Sequence, residues 1–119
     1  MRPRKKILLL DENVDRLSLR RFVLEQRPLR VVDRWEEADI ALIMIDGDHP
    51  AATILIRVAQ ILHPEASVYV LGAVPGEVFP DRVFDADLSM ADFLDAVLVG
   101  VKRKRGPRRK FLPLNWVPA

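Results

Sequence analysis

The sequence predicts an α/β fold, a doubly wound parallel sheet of five strands with helices packed on its faces. Two observations carry this expectation. Residues 7–10 (ILLL), 40–45 (IALIMI) and 68–71 (VYVL) are uniformly apolar, without the polar alternation of a strand that faces water on one side. Between them lie stretches in which apolar residues recur at three- and four-residue spacing, the periodicity of a helix packed on one face. Strands and helices in alternation are the mark of strand–helix–strand units.

Each element has its own signals. The first strand, residues 7–10, stops at the carboxylates Asp11 and Glu12. Asn13 is a suitable N-cap for a helix running to about Gln26, with Val14, Leu17, Phe22 and Val23 as its buried positions. Arg27-Pro28 ends it, because a residue before proline is pushed out of the helical region. Residues 29–33 (LRVVD) follow as a second strand, and residues 40–45 as a third that again ends on a carboxylate, Asp46. Gly47-Asp48-His49-Pro50 is a turn, with Pro50 suited to the first turn of the next helix. That helix carries Ala51, Ile54, Leu55, Val58, Ile61 and Leu62 as an apolar stripe, and His63-Pro64 closes it. The fourth strand, residues 68–71, runs into Gly72-Ala73. Pro75, Gly76 and Pro80 make any helix after it short or broken, before a short fifth strand within residues 83–88. Ser89 caps a last helix, with Asp92 three residues on as a shortened capping box and Met90, Phe93, Leu94, Val97, Leu98 and Val101 as its buried face.

One connection is too short for the pattern. Only residues 34–39 separate the second and third strands, whereas a helical crossover takes at least about 10 to 12 residues. A helix there is missing or reduced to one turn around residues 35–38. Trp35 is then the natural plug for the face left thin.

Composition excludes several classes. The 119 residues make one domain, with no cysteine and hence no disulfide framework, thiolate nucleophile or cysteine-bound metal. The longest apolar runs fall far short of the roughly 18 residues that span a bilayer, and the basic start is cut off by Asp11-Glu12 in a way that makes a poor signal peptide. A cytoplasmic location is the expectation. The net charge of +2 hides an asymmetry: residues 2–6 and 102–110 hold 11 of the 19 basic groups, leaving the intervening body with 8 against all 17 acidic ones, a net −9.

In a parallel α/β sheet the functional crevice lies beyond the carboxyl ends of the strands, where strand order reverses. Asp11, Glu12 and Asp46 fall there. An apolar strand ending in an acidic pair, a second ending in Asp46, and Pro50 four residues later resemble the receiver domain of bacterial two-component response regulators, over roughly residues 5–102. The resemblance implies a flavodoxin-like (CheY-like) fold for a domain at residues 1–103, followed by a basic, proline-containing tail at 104–119. It also implies that Asp46 is the phosphoacceptor, served by a histidine kinase, and that Asp11, Glu12, Asp46 and the backbone carbonyl of Asp48 hold Mg2+, here weakly. A carboxylate attacking a phosphoryl group brings like charges together, so a hard cation with oxygen ligands is what such a site needs.

The departures are as informative as the match. Receiver domains carry a serine or threonine after the fourth strand and a lysine after the fifth, both of which bond the phosphoryl group. The matching positions here are Gly72 and Met90, which can do neither job. The resemblance therefore implies a degenerate receiver, a pseudo-receiver that is not an enzyme and acts through protein–protein interaction on its last strands and last helix, with a homodimer as one form. Two alternatives stand beside it: a working Mg-dependent phosphoacceptor with an atypical readout, and nucleic-acid or anionic-surface binding by the tail with Phe111 and Trp116 as stacking residues. His49 reads as a loop residue and His63 as a helix end.

Overall fold

Five parallel strands in the order β2-β1-β3-β4-β5 form one sheet in the computed structural model, which describes residues 4–74 and 76–102. The chain runs β1 (Lys5–Leu10), α1 (Val14–Glu25), β2 (Leu29–Val32), β3 (Ile40–Asp46), α2 (Ala52–Leu62), β4 (Ser67–Leu71), β5 (Arg82–Phe84) and α3 (Met90–Lys102). This is the flavodoxin-like arrangement with its second helix lost: residues 34–37 make only a turn closed from the Glu37 amide to the Arg34 carbonyl. Among the described residues no helix joins β4 to β5 either. No helix among the described residues is long and apolar enough to cross a membrane. The expected tail at 104–119, with Phe111 and Trp116, lies outside the described residues.

The uniform apolarity of the strands is explained by what lies on each side. Alternate residues of β1, β3 and β4 send Ile7, Leu9, Leu42, Met44, Tyr69 and Leu71 toward α1 and α3. The residues between them, Leu8, Ile43, Ile45, Val68 and Val70, face α2. Each such side chain, fully buried, contributes about 1.5–3 kcal/mol. Among the described residues α2 is the one helix on the second face, and loops add to its cover: Trp35, Val74 and Val78 belong to or pack against that cluster. Trp35 is held in place, its ring stacked on that of His63 at 6.3 Å between centroids and its carbonyl 2.8 Å from His63 Nε2.

Two helices differ from the sequence reading in which face they bury. On α1 the apolar Val14 and Phe22 are exposed, at 71% and 64%, while Arg20 and Leu24 are buried. Leu17, partly buried, and Leu24 do lie on the inner stripe, but Arg20 takes the place between them. On α2 the buried residues are Ala52, Ile56 and Ala59, with Ile54 and Ile61 at the surface. That helix is apolar nearly all round, so spacing alone did not select a face. It also begins at Ala52, after Pro50, with the Ala51 amide donating to His49 Nδ1 at 3.0 Å, a loop-closing role for that histidine. The two caps read from the sequence hold: Asn13 Oδ1 accepts from the Arg16 amide at 2.9 Å and Ser89 Oγ from the Asp92 amide at 3.1 Å.

α3 lies close against the sheet at Gly100, where a Cβ would lie 2.9 Å from Cε2 and 3.0 Å from the hydroxyl oxygen of the buried Tyr69. Alanine is the better helix former by about 1 kcal/mol, but overpacking costs about 1–3 kcal/mol. Gly100→Ala is therefore expected to lower the urea midpoint, without a change in the dependence on urea concentration that would signal a different unfolded state.

Candidate functional site

The sheet reverses its order between β1 and β3, so the crevice opens beyond the ends of those two strands. Asp11 follows β1 directly and Asp46 is the last residue of β3, and the register that pairs Leu10 with Ile45 puts the two carboxylates at the same level. Gly47 follows because nothing larger fits: a Cβ there would lie 2.3 Å from the Ala73 carbonyl oxygen, and its amide donates to the Leu71 carbonyl at 2.7 Å.

The two carboxylates are joined by an arginine. Arg16 donates from Nε to Asp11 Oδ2 at 2.6 Å and from Nη2 to Asp11 Oδ1 at 2.8 Å, a bidentate pair. The same Nη2 donates to Asp46 Oδ2 at 2.8 Å. Arg20, one turn further along α1, reaches Asp11 Oδ2 at 3.4 Å with its guanidinium 4.8 Å over the ring of Phe93. Asp46 Oδ1 takes the Asp48 amide at 3.1 Å, and Asp11 Oδ1 takes the Asn13 amide at 2.8 Å. Two carboxylates thus face two guanidiniums, with the planar fork of Arg16 matched to a carboxylate.

The titration behaviour follows from these contacts. Burial pushes the Asp11 carboxyl up, but the Arg16 hydrogen bonds, the Asn13 amide and the charges of both arginines outweigh it and hold the group below its ordinary value. The hydrogen bonds to Asp11 raise Arg16, whereas burial and the neighbouring charge of Arg16 lower Arg20.

Of the residues named from the sequence, the structure brings Asp11 and Asp46 together through Arg16. Glu12 is exposed and shares in neither contact, and the Asp48 side chain is exposed. Gly72 follows β4 with φ at +102°, and Met90 opens α3 partly buried against the core. Arg16 and Arg20 escaped the sequence reading. Two signals were available: Arg20 stands three residues after Leu17 and four before Leu24, on the inner stripe, and Arg16 sits in the first turn, where the helix dipole disfavours a cation.

A hard divalent cation does not fit these residues as they stand. Mg2+ needs oxygen ligands at about 2.1 Å, and the space shared by the carboxylates holds Arg16 Nη2. Among the described residues no group of three acidic or histidine side chains is placed to share a metal. The adjacent void, between Leu9, Leu17, Arg20, Met44 and Phe93, is about 10 Å³, room for a single water.

No protein-family model matches the sequence, and no curated protein does. Solved structures do match its fold. A CheY-like response regulator receiver domain protein from Methanospirillum hungatei JF-1 superposes with a TM-score of 0.73 at 19% identity, covering 83% of this chain and 94% of that one. A response regulator from Thermotoga maritima gives 0.65 at 16% identity, covering 84% and 99%. The adenylate cyclase from Rhodopirellula baltica gives 0.69 at 19% identity, covering 83% and 88%. The chain has the CheY-like fold of response regulator receiver domains.

A carboxyl held below its ordinary value of 3.8 stabilises the fold above that value, and the contribution is lost as pH falls through the lowered folded value. Urea unfolding followed from about pH 5 to pH 2 is expected to show a steady loss of stability that is shallower in Asp11→Asn, where the titrating group is gone.

Proposed function

We propose that the domain is a pseudo-receiver: a signalling module of two-component type that binds a protein partner in one fixed state, with no enzymatic activity of its own. The observation that carries this is the condition of the two positions that would read a phosphoryl group. Gly72 has no side chain, and its φ of +102° lies in the region that other residues adopt only under strain, so a hydroxyl cannot simply be restored there. Met90 supplies a thioether packed against the core where an ammonium would be needed. Both oxygens of Asp46, the counterpart of the acceptor, already hold hydrogen bonds.

The partner-binding surface in this reading is the edge made by β5 and α3. β5 is three residues long and borders the sheet, with its own Val83 exposed, Phe79 exposed in the loop before it and Val99 exposed on α3. A short edge strand flanked by exposed apolar side chains is an unfinished face suited to a second protein. A kinase, another signalling protein or a second copy of the chain are the partners to test.

Intact-mass analysis after incubation with acetyl phosphate and Mg2+ is expected to show no phosphoryl adduct, under conditions that modify a working receiver. Asp46→Asn is expected to retain the partners of the wild type in co-purification. An adduct on the wild type that Asp46→Asn abolishes would restore Asp46 as a phosphoacceptor and overturn the proposal.

A further inference from the structure

We infer that Arg16 is the pocket's own cation: its guanidinium, held between Asp11 and Asp46, occupies the place of a divalent metal and makes the folded domain independent of one. The inference rests on the reading of this pocket as one that does not switch, and adds what stands in for the switch. Nη2 lies 2.8 Å from an oxygen of each carboxylate, so one atom neutralises both, as a shared metal ion would. The second contact to Asp11, from Nε at 2.6 Å, fixes the plane of the guanidinium, which a single ammonium cannot do.

The sequence around Arg16 is built to hold it there. Asp11 accepts the Asn13 amide, Asn13 caps α1 by accepting the Arg16 amide, and Arg16 returns its side chain to Asp11, closing a ring of four contacts within six residues. A cation in the first turn of a helix opposes the helix dipole, so this position needs the two carboxylates to be tolerated. Arg20 completes the charge balance from the buried side, set by its contact with Phe93. A metal entering this pocket would meet two carboxylates already matched by two guanidiniums, with Glu12 in neither contact.

The test is a titration with MgCl2 alone, read by thermal melting and by the Arg16 Nε–H resonance in ¹⁵N-labelled protein. For the wild type, neither the melting temperature nor that resonance is expected to move saturably up to millimolar Mg2+. Arg16→Ala is expected to melt lower in the absence of metal and to gain a Mg2+-dependent rise of about 5 °C at ten times its Kd. That gain should vanish in the Arg16→Ala, Asp46→Asn double variant. Arg16→Lys, which keeps the charge and the fold but not the fork, should show a weaker form of the same gain and serves if Arg16→Ala does not fold. Saturable Mg2+ binding by the wild type with a shift of the Arg16 resonance overturns the inference, as does a pair of Arg16 variants that gain no response to Mg2+. Either result leaves the pseudo-receiver reading standing if acetyl phosphate still gives no adduct, so the two fail separately.

Discussion

The site is organised by one electrostatic constraint: two carboxylates at the ends of adjacent parallel strands are brought together, and the chain's own arginines neutralise them. Two like charges about 4 Å apart repel by roughly 4 kcal/mol at an effective dielectric of 20, a sizeable part of the stability of a small domain. Arg16 answers this by bonding Asp11 with two nitrogens and Asp46 with one of the same two. Because Arg16 is partly exposed, solvent screens part of that attraction, and Arg20, buried over Phe93, supplies the less screened share.

That constraint propagates into the helix that carries the arginines. For Arg16 and Arg20 to reach the strand ends, α1 must present 16 and 20 inward, which rotates Val14 and Phe22 out to solvent. The helix therefore gives up apolar burial on one side to place two cations on the other. The second face of the sheet shows a similar substitution of means. With no helix between β2 and β3, the stack of Trp35 on His63 and the loop residues Val74 and Val78 cover what a helix would have covered.

The architecture was legible because its signals are local and repeated. Residues 40–45 and 68–71 are apolar on both sides of the pleat, which admits only a strand buried on both faces, and the six residues 34–39 are too few for a crossover helix. The caps at Asn13 and Ser89 were legible for the same reason: each is decided by atoms three residues apart. The inward face of α2 was not, since Ile54 and Ile56 are equally apolar and only the cluster that Ile56 joins on the sheet distinguishes them.

The strand–helix order, the acidic strand ends at Asp11 and Asp46, and the lack of a hydroxyl at Gly72 and of an ammonium at Met90 can all be read along the chain. Each of these is a matter of which residue stands where along the chain. What the acidic residues meet depends on how the elements pack. Asp46 and Arg16 lie 30 positions apart, and their contact depends on strand order, on the β1–β3 register and on the rotation of α1, none of which is written in any one segment. A carboxylate at a strand end looks alike in sequence whether it awaits a metal or already holds a guanidinium, because the difference lies in an atom contributed by another element.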